Sequence, residues 1–90
     1  MTVSTLKNLY NEYLRKEEIC DAADEAWDSD YENEDLEAAF DKAYKEQAEA
    51  MNKVIDGIVE ITNGQIDKRT AHTMILKGRE ALTKLFSMAA

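Results

Sequence analysis

Residues 33–64 read NEDLEAAFDKAYKEQAEAMNKVIDGIVEITNG, and this stretch decides the fold. Its apolar side chains stand at Leu36, Phe40, Ala43, Tyr44, Met51, Val54, Ile55, Ile58 and Ile61. The spacings are three, four or seven residues, with the adjacent pairs Ala43-Tyr44 and Val54-Ile55 widening the stripe, so all of them fall on one face of a helix. Asn33 offers its side chain to the first free amides, with a capping box from Ser29 to Glu32 as the alternative start. Glu34, Asp35 and Glu37 fall in the first turn, where the helix dipole favours negative charge. Asn63-Gly64 reads as the C-terminal stop. A helix over about 33–62 spans roughly 40 Å at 1.5 Å per residue.

The flanking segments repeat the period. Upstream, Leu6, Leu9, Tyr13, Cys20, Ala23 and Trp27 form a stripe with Lys16 in its one polar slot. The cap is expected at Ser4 or Thr5, and Asp28-Ser29-Asp30 favours a turn. Downstream, Asp67 is the expected cap, with Ile66 stapling onto Ala71. The stripe that follows is Ala71, Met74, Ile75, Gly78, Leu82, Leu85, Phe86 and Ala89. The expectation is an all-α fold of one domain over residues 1–90, with helices near 5–28, 33–62 and 68–88. They form a three-helix bundle or an extended antiparallel helical hairpin with a third helix. The second helix is longer than its neighbours, so part of its stripe is a candidate for burial against a second copy.

The composition agrees with few, long helices. Proline is absent and glycine occurs three times in 90 residues, too little turn chemistry for a β fold of this size. Hydrophobic residues are 44% of the chain, but 12 of them are alanine, which leaves enough for one core. A lone Cys20 gives no disulfide framework. No basic start leads into an apolar run, and no window reaches the roughly 20 apolar residues of a membrane helix. The expected location is the cytoplasm, that of the host if the chain is phage-encoded.

Chemistry finds little purchase. His72 is the only histidine and has no companion at metal-ligand spacing. Cys20 sits on an apolar stripe among Glu17, Glu18, Asp21 and Asp24, a setting that raises a thiol's pKa and makes it inert. The alternation Asp28, Asp30, Glu32, Glu34 resembles a calcium loop, but the glycine required at its sixth position is Asn33 or Asp35. The glycines are isolated, so no phosphate loop exists. No enzyme, metal or cofactor is expected.

The charge layout is the strongest functional signal. From Glu17 to Asp41 there are twelve acids and no lysine or arginine. Residues 1–63 carry 17 acids and 6 bases, a net of −11, whereas residues 64–90 carry 2 acids and 5 bases, a net of +3. Such runs are commonly no more than solvated faces. Yet solubility does not require 25 residues without a base, and like charges at i,i+4 cost a few tenths of a kcal/mol each. On the first helix, the acids from Glu17 to Asp28 are spaced at roughly one per 2.7 Å of axis. A DNA strand carries a phosphate about every 3.4 Å. The candidate partner-binding residues are therefore Glu17, Glu18, Asp21, Asp24, Glu25, Asp28, Asp30, Glu32, Glu34 and Asp35. A secondary surface is expected at Arg69, His72, Leu76 and Arg79, where Leu76 is either an ordinary exposed leucine or a contact anchor.

In this acidic segment the chain resembles the short, acidic, helical proteins encoded by phages and mobile elements, among which some anti-CRISPR proteins act as nucleic-acid mimics. The resemblance implies an inhibitor that offers its acidic face to a protein with a basic groove, such as a nucleic-acid-binding enzyme. Direct contact with nucleic acid or an anionic membrane is disfavoured by the sign of the charge. The alternatives are a helical assembly protein that forms homodimers or larger oligomers through its apolar stripes, and an antitoxin or immunity partner of a basic toxin.

Overall fold

The computed structural model of the chain describes residues 1–89, with side chains through Ser87. It is all-α: α1 (Val3–Ser29), α2 (Glu34–Ile61), α3 (Lys68–Lys77) and α4 (Arg79–Ala89). α1 and α2 lie antiparallel as a long hairpin. The register is marked by Met1 N to Glu60 at 3.0 Å, Lys16 to Glu46 at 3.2 Å, and Trp27 against Phe40. α3 and α4 fold back over the open end only, giving a rod of 47 × 19 × 19 Å.

The helix ends follow local hydrogen-bond chemistry. Asn33 Oδ1 accepts from the amides of Asp35 and Leu36, and Asp67 Oδ1 from that of Thr70 at 2.8 Å. At the end of α2, Gly64 N donates to Val59 O at 2.8 Å. The cap of α1 differs from expectation. Thr2 holds the amide of Thr5 at 3.1 Å, so Ser4 and Thr5 lie inside the helix. Ser29 ends α1 and donates its hydroxyl to Glu25 O, which leaves the turn to Asn33 and excludes the Ser29–Glu32 box.

One core occupies the open end of the hairpin. Leu6, Tyr10 and Tyr13 from α1 meet Ala50, Val54, Ile55 and Ile58 from α2, Ala71 and Ile75 from α3, and Leu82 and Leu85 from α4. Leu6, Val54, Ile58 and Leu82 are completely shielded. Gly57 makes the close approach of α1 possible. A β-carbon there would stand 2.7 Å from Met1 Sδ and 2.8 Å from Leu6 Cδ1, inside the separation that real side chains show. Beyond Tyr13 the hairpin has only two layers, and its buried members are Cys20 and Ala43.

Three further expectations need correction. The segment 68–88 is two helices, because Gly78 adopts φ 99° and ψ −169° and interrupts the helix between Lys77 and Arg79. That conformation is essentially confined to glycine. The apolar spacing continues through the break because both short helices fold onto the same core; the side chain of Ala89, last in that stripe, lies outside the described residues. Next, α2 has 28 residues and α1 has 27, so α2 does not outrun its hairpin partner. Lastly, Tyr44 belongs to the period of α2 but is 60% exposed, while Tyr10, outside the expected stripe of α1, is buried by Phe86 and its neighbours from α4.

Candidate protein-binding surface

The residues from Glu17 to Asp41 wrap the closed end of the hairpin, comprising the second half of α1, the turn at 30–33 and the start of α2. The charge that the sequence divides between residues 1–63 and 64–90 is divided in the structure between two ends of the rod. The bases Lys68, Arg69, Lys77, Arg79 and Lys84 all ride on α3 and α4 at the open end. At 1.5 Å per residue, Asp28 lies about 30 Å along α1 from Tyr10, where α4 packs.

Of the ten candidate acids, nine are exposed: Glu18, Asp21, Asp24, Glu25, Asp28, Asp30, Glu32, Glu34 and Asp35. Glu17 is half-buried beside Tyr13. Burial first, and then the Glu17 carboxylate, push the Tyr13 phenol up to about 12. Every ion pair among the described residues lies outside the acidic segment. These are Met1 N with Glu60, Arg15 with Glu12, Lys16 with Glu12 and Glu46, and Lys68 with Asp56. No base answers the twelve acids within ion-pair distance, and eleven of them, all but Glu17, are exposed to solvent.

The turn that presents them is held locally. Trp27 Nε1 donates to Tyr31 O at 3.1 Å, and Asn33 Nδ2 to Asp30 Oδ2 at 3.3 Å. Trp27 lies 5.3 Å from Phe40 and Phe40 6.1 Å from Tyr44, ring centre to ring centre. Tyr31, at the apex, is 72% exposed. Sequence reading placed Trp27, Phe40 and Tyr44 in core stripes and missed this aromatic edge. Their spacing is indeed that of a core; nothing in the local sequence says that these rings are left partly open to solvent.

Cys20 is buried, and burial raises its thiol pKa, with Asp21, Asp24 and Glu17 adding to the effect. Of the four residues of the secondary surface, Arg69, His72 and Leu76 share one exposed face of α3, and Arg79 stands apart from them. His72 lines a shallow groove with Tyr44, Gln47, Ala48 and Met51 of α2. Arg79, carried round by the bend at Gly78, lines another with Lys7, Tyr10, Asn11 and Phe86. Arg69 is exposed, as is Leu76 at 65%. A wider groove of about 680 Å³ lies between α3 and α4 over Ile66, Met74, Ala81 and Leu85, with Lys77, Glu80 and Lys84 on its rim. Among the described residues, no three His, Cys, Asp or Glu side chains converge as metal ligands, and no helix is long and apolar enough to cross a membrane.

Comparison of the chain with protein-family models, curated proteins and solved structures returns no match. The functional argument therefore rests on the surface itself.

Proposed function

We propose that the chain is a non-enzymatic interaction protein whose acidic hairpin end docks into the basic groove of a nucleic-acid-binding protein, as a nucleic-acid mimic of the inhibitor type seen among phage-encoded anti-CRISPR proteins. The observation that carries this reading is the unpaired state of the twelve acids between Glu17 and Asp41. A surface that served only solubility would interleave bases at i+4, as Glu12 and Lys16 do one turn earlier. Their spacing along α1, roughly one per 2.7 Å of axis, suits a groove built for a phosphate about every 3.4 Å. A rod 19 Å across is also close to the width of a nucleic-acid duplex, so such a groove can admit it.

The test changes one end at a time. Asp21, Asp24, Glu25 and Asp28 are exposed and become amides in one variant; Glu17 is spared because it packs beside Tyr13. Arg69, Lys77 and Arg79 become glutamine in the other. Immobilised wild-type chain is expected to capture nucleic-acid-binding proteins from lysate, and to release them to duplex competitor and to salt. The amide variant is expected to lose that capture and the glutamine variant to keep it. The opposite pattern would overturn the mimic reading and move attention to α3 around Leu76. An assembly protein held by apolar stripes would instead remain oligomeric by light scattering in high salt, since apolar burial is not screened.

A further inference from the structure

The closed end carries more than charge. Trp27, Phe40 and Tyr44 form a continuous ladder of rings along one edge of the hairpin, with Tyr31 at its apex. Trp27 is fixed by its hydrogen bond to Tyr31 O, so the ladder is preorganised. Acids flank it at helical-neighbour spacing: Asp24 three residues before Trp27, Glu37 three before Phe40, and Asp41 three before Tyr44. Where a base comes near a ring in this protein, it sits over it, as Lys7 Nζ does 5.7 Å above Phe86. That is the one such pair among the described residues, and it lies at the other end of the rod. Among the described residues, no lysine or arginine sits over the rings of the ladder.

We propose that this aromatic edge is a docking surface for arginine side chains of the basic protein partner. The inference rests on the reading that the acidic end faces such a partner, and it adds the chemistry of recognition. Carboxylates alone attract any cation. A guanidinium is planar and weakly hydrated, and it stacks on rings while its N–H groups pair with a carboxylate alongside; a lysine ammonium is a compact, strongly hydrated point charge. Rings with flanking acids therefore select arginine over lysine. Nucleic-acid bases would also stack on such rings, but their phosphates would meet the same carboxylates and be repelled.

Trp27 is the only tryptophan, so its fluorescence reports from this surface. The experiment titrates the full chain with oligoarginine and oligolysine peptides of equal length at fixed ionic strength. Trp27 emission and the anisotropy of labelled peptide are followed together. Both peptides are expected to bind, oligoarginine about 5-fold more tightly, as one exposed cation–π contact gives. Tyr44→Leu and Tyr31→Leu alter exposed positions, so the fold is not at stake, and Phe40→Leu keeps an apolar side chain at a half-buried position. In these variants the preference for arginine is expected to shrink while oligolysine affinity holds. Amides at Asp24 and Asp41 are expected to weaken both peptides by a similar factor. Equal wild-type affinity for the two peptides, or a preference that survives all the leucine variants, would overturn the arginine inference and leave the acidic reading standing. Failure of either peptide to bind would overturn the acidic reading itself.

Discussion

Gly78→Ala isolates the element that separates this fold from a simple three-helix arrangement. At φ 99° and ψ −169° an L-residue is strained by about 1–3 kcal/mol. A β-carbon there meets nothing within 4 Å, so the cost is one of backbone conformation alone. The variant has one escape, which is to straighten 68–89 into a single helix. That relieves the strain and gains about 1 kcal/mol of helix propensity. It also carries Leu82 and Leu85, both buried, away from the core. Two such side chains are worth roughly 3–6 kcal/mol at 1.5–3 each, about equal to or more than the relief. The bend is therefore expected to persist under strain, with α-helical circular dichroism unchanged at 25 °C. The melting temperature should fall by about 4–8 °C for each kcal/mol lost. D-alanine at the same position, introduced by chemical synthesis, supplies the control. The conformation is the mirror image of ordinary extended backbone, so a D-residue fits it and should stabilise the fold by about 0.4–1 kcal/mol through the unfolded state. If L-alanine leaves the melting temperature unchanged or raises it, or if both enantiomers shift it the same way, the backbone argument at Gly78 is wrong.

Other expectations follow from the core, the caps and the charges. Leu82→Ala, at a completely shielded position, should cost about 2–5 kcal/mol in denaturant unfolding; a loss under 1 kcal/mol would mean that α4 is not docked. Gly57→Ala should also destabilise, because the β-carbon would press on Met1 and Leu6, and its cost should be smaller when measured in a Leu6→Ala background, where part of that contact is cleared. Asn33→Ala removes the acceptor for two amides and should cost about 0.5–2 kcal/mol, read as a lower melting temperature. Burial, then the Glu17 carboxylate, raise the phenols of Tyr13 (to about 12) and Tyr10, so the folded state keeps them neutral where the unfolded chain ionises. The contribution of Tyr13 is whole below pH 10 and is lost as pH climbs through about 12, at up to about 1.4 kcal/mol per pH unit; Tyr13→Phe should move alkaline unfolding to higher pH, and no shift would refute the assignment. Added salt should raise the melting temperature by screening the unpaired acids, and indifference to salt would show that they find partners in solution.

The amino-acid sequence alone determines the all-α class and most helix limits, because these depend on neighbours within four or five residues. Asn33 and Asp67 cap, and Gly64 closes α2, through hydrogen bonds that need no tertiary partner. The segregation of charge is likewise readable, since helices joined by short turns keep the acids of 17–41 together. The tertiary structure alone decides the bend at Gly78, the burial of Tyr10 and the exposure of Tyr44. Apolar spacing of three and four residues is the same in one straight helix and in two that fold back on a shared core. Which residues of a stripe are shielded depends on how far the other helices reach. Here α3 and α4 together cover the open end of the hairpin, and the rings of Trp27, Phe40 and Tyr44 are left partly open to solvent among the acids. The same period that builds the core at Val54 and Ile58 thus becomes an open aromatic edge at Phe40 and Tyr44, which remain partly exposed.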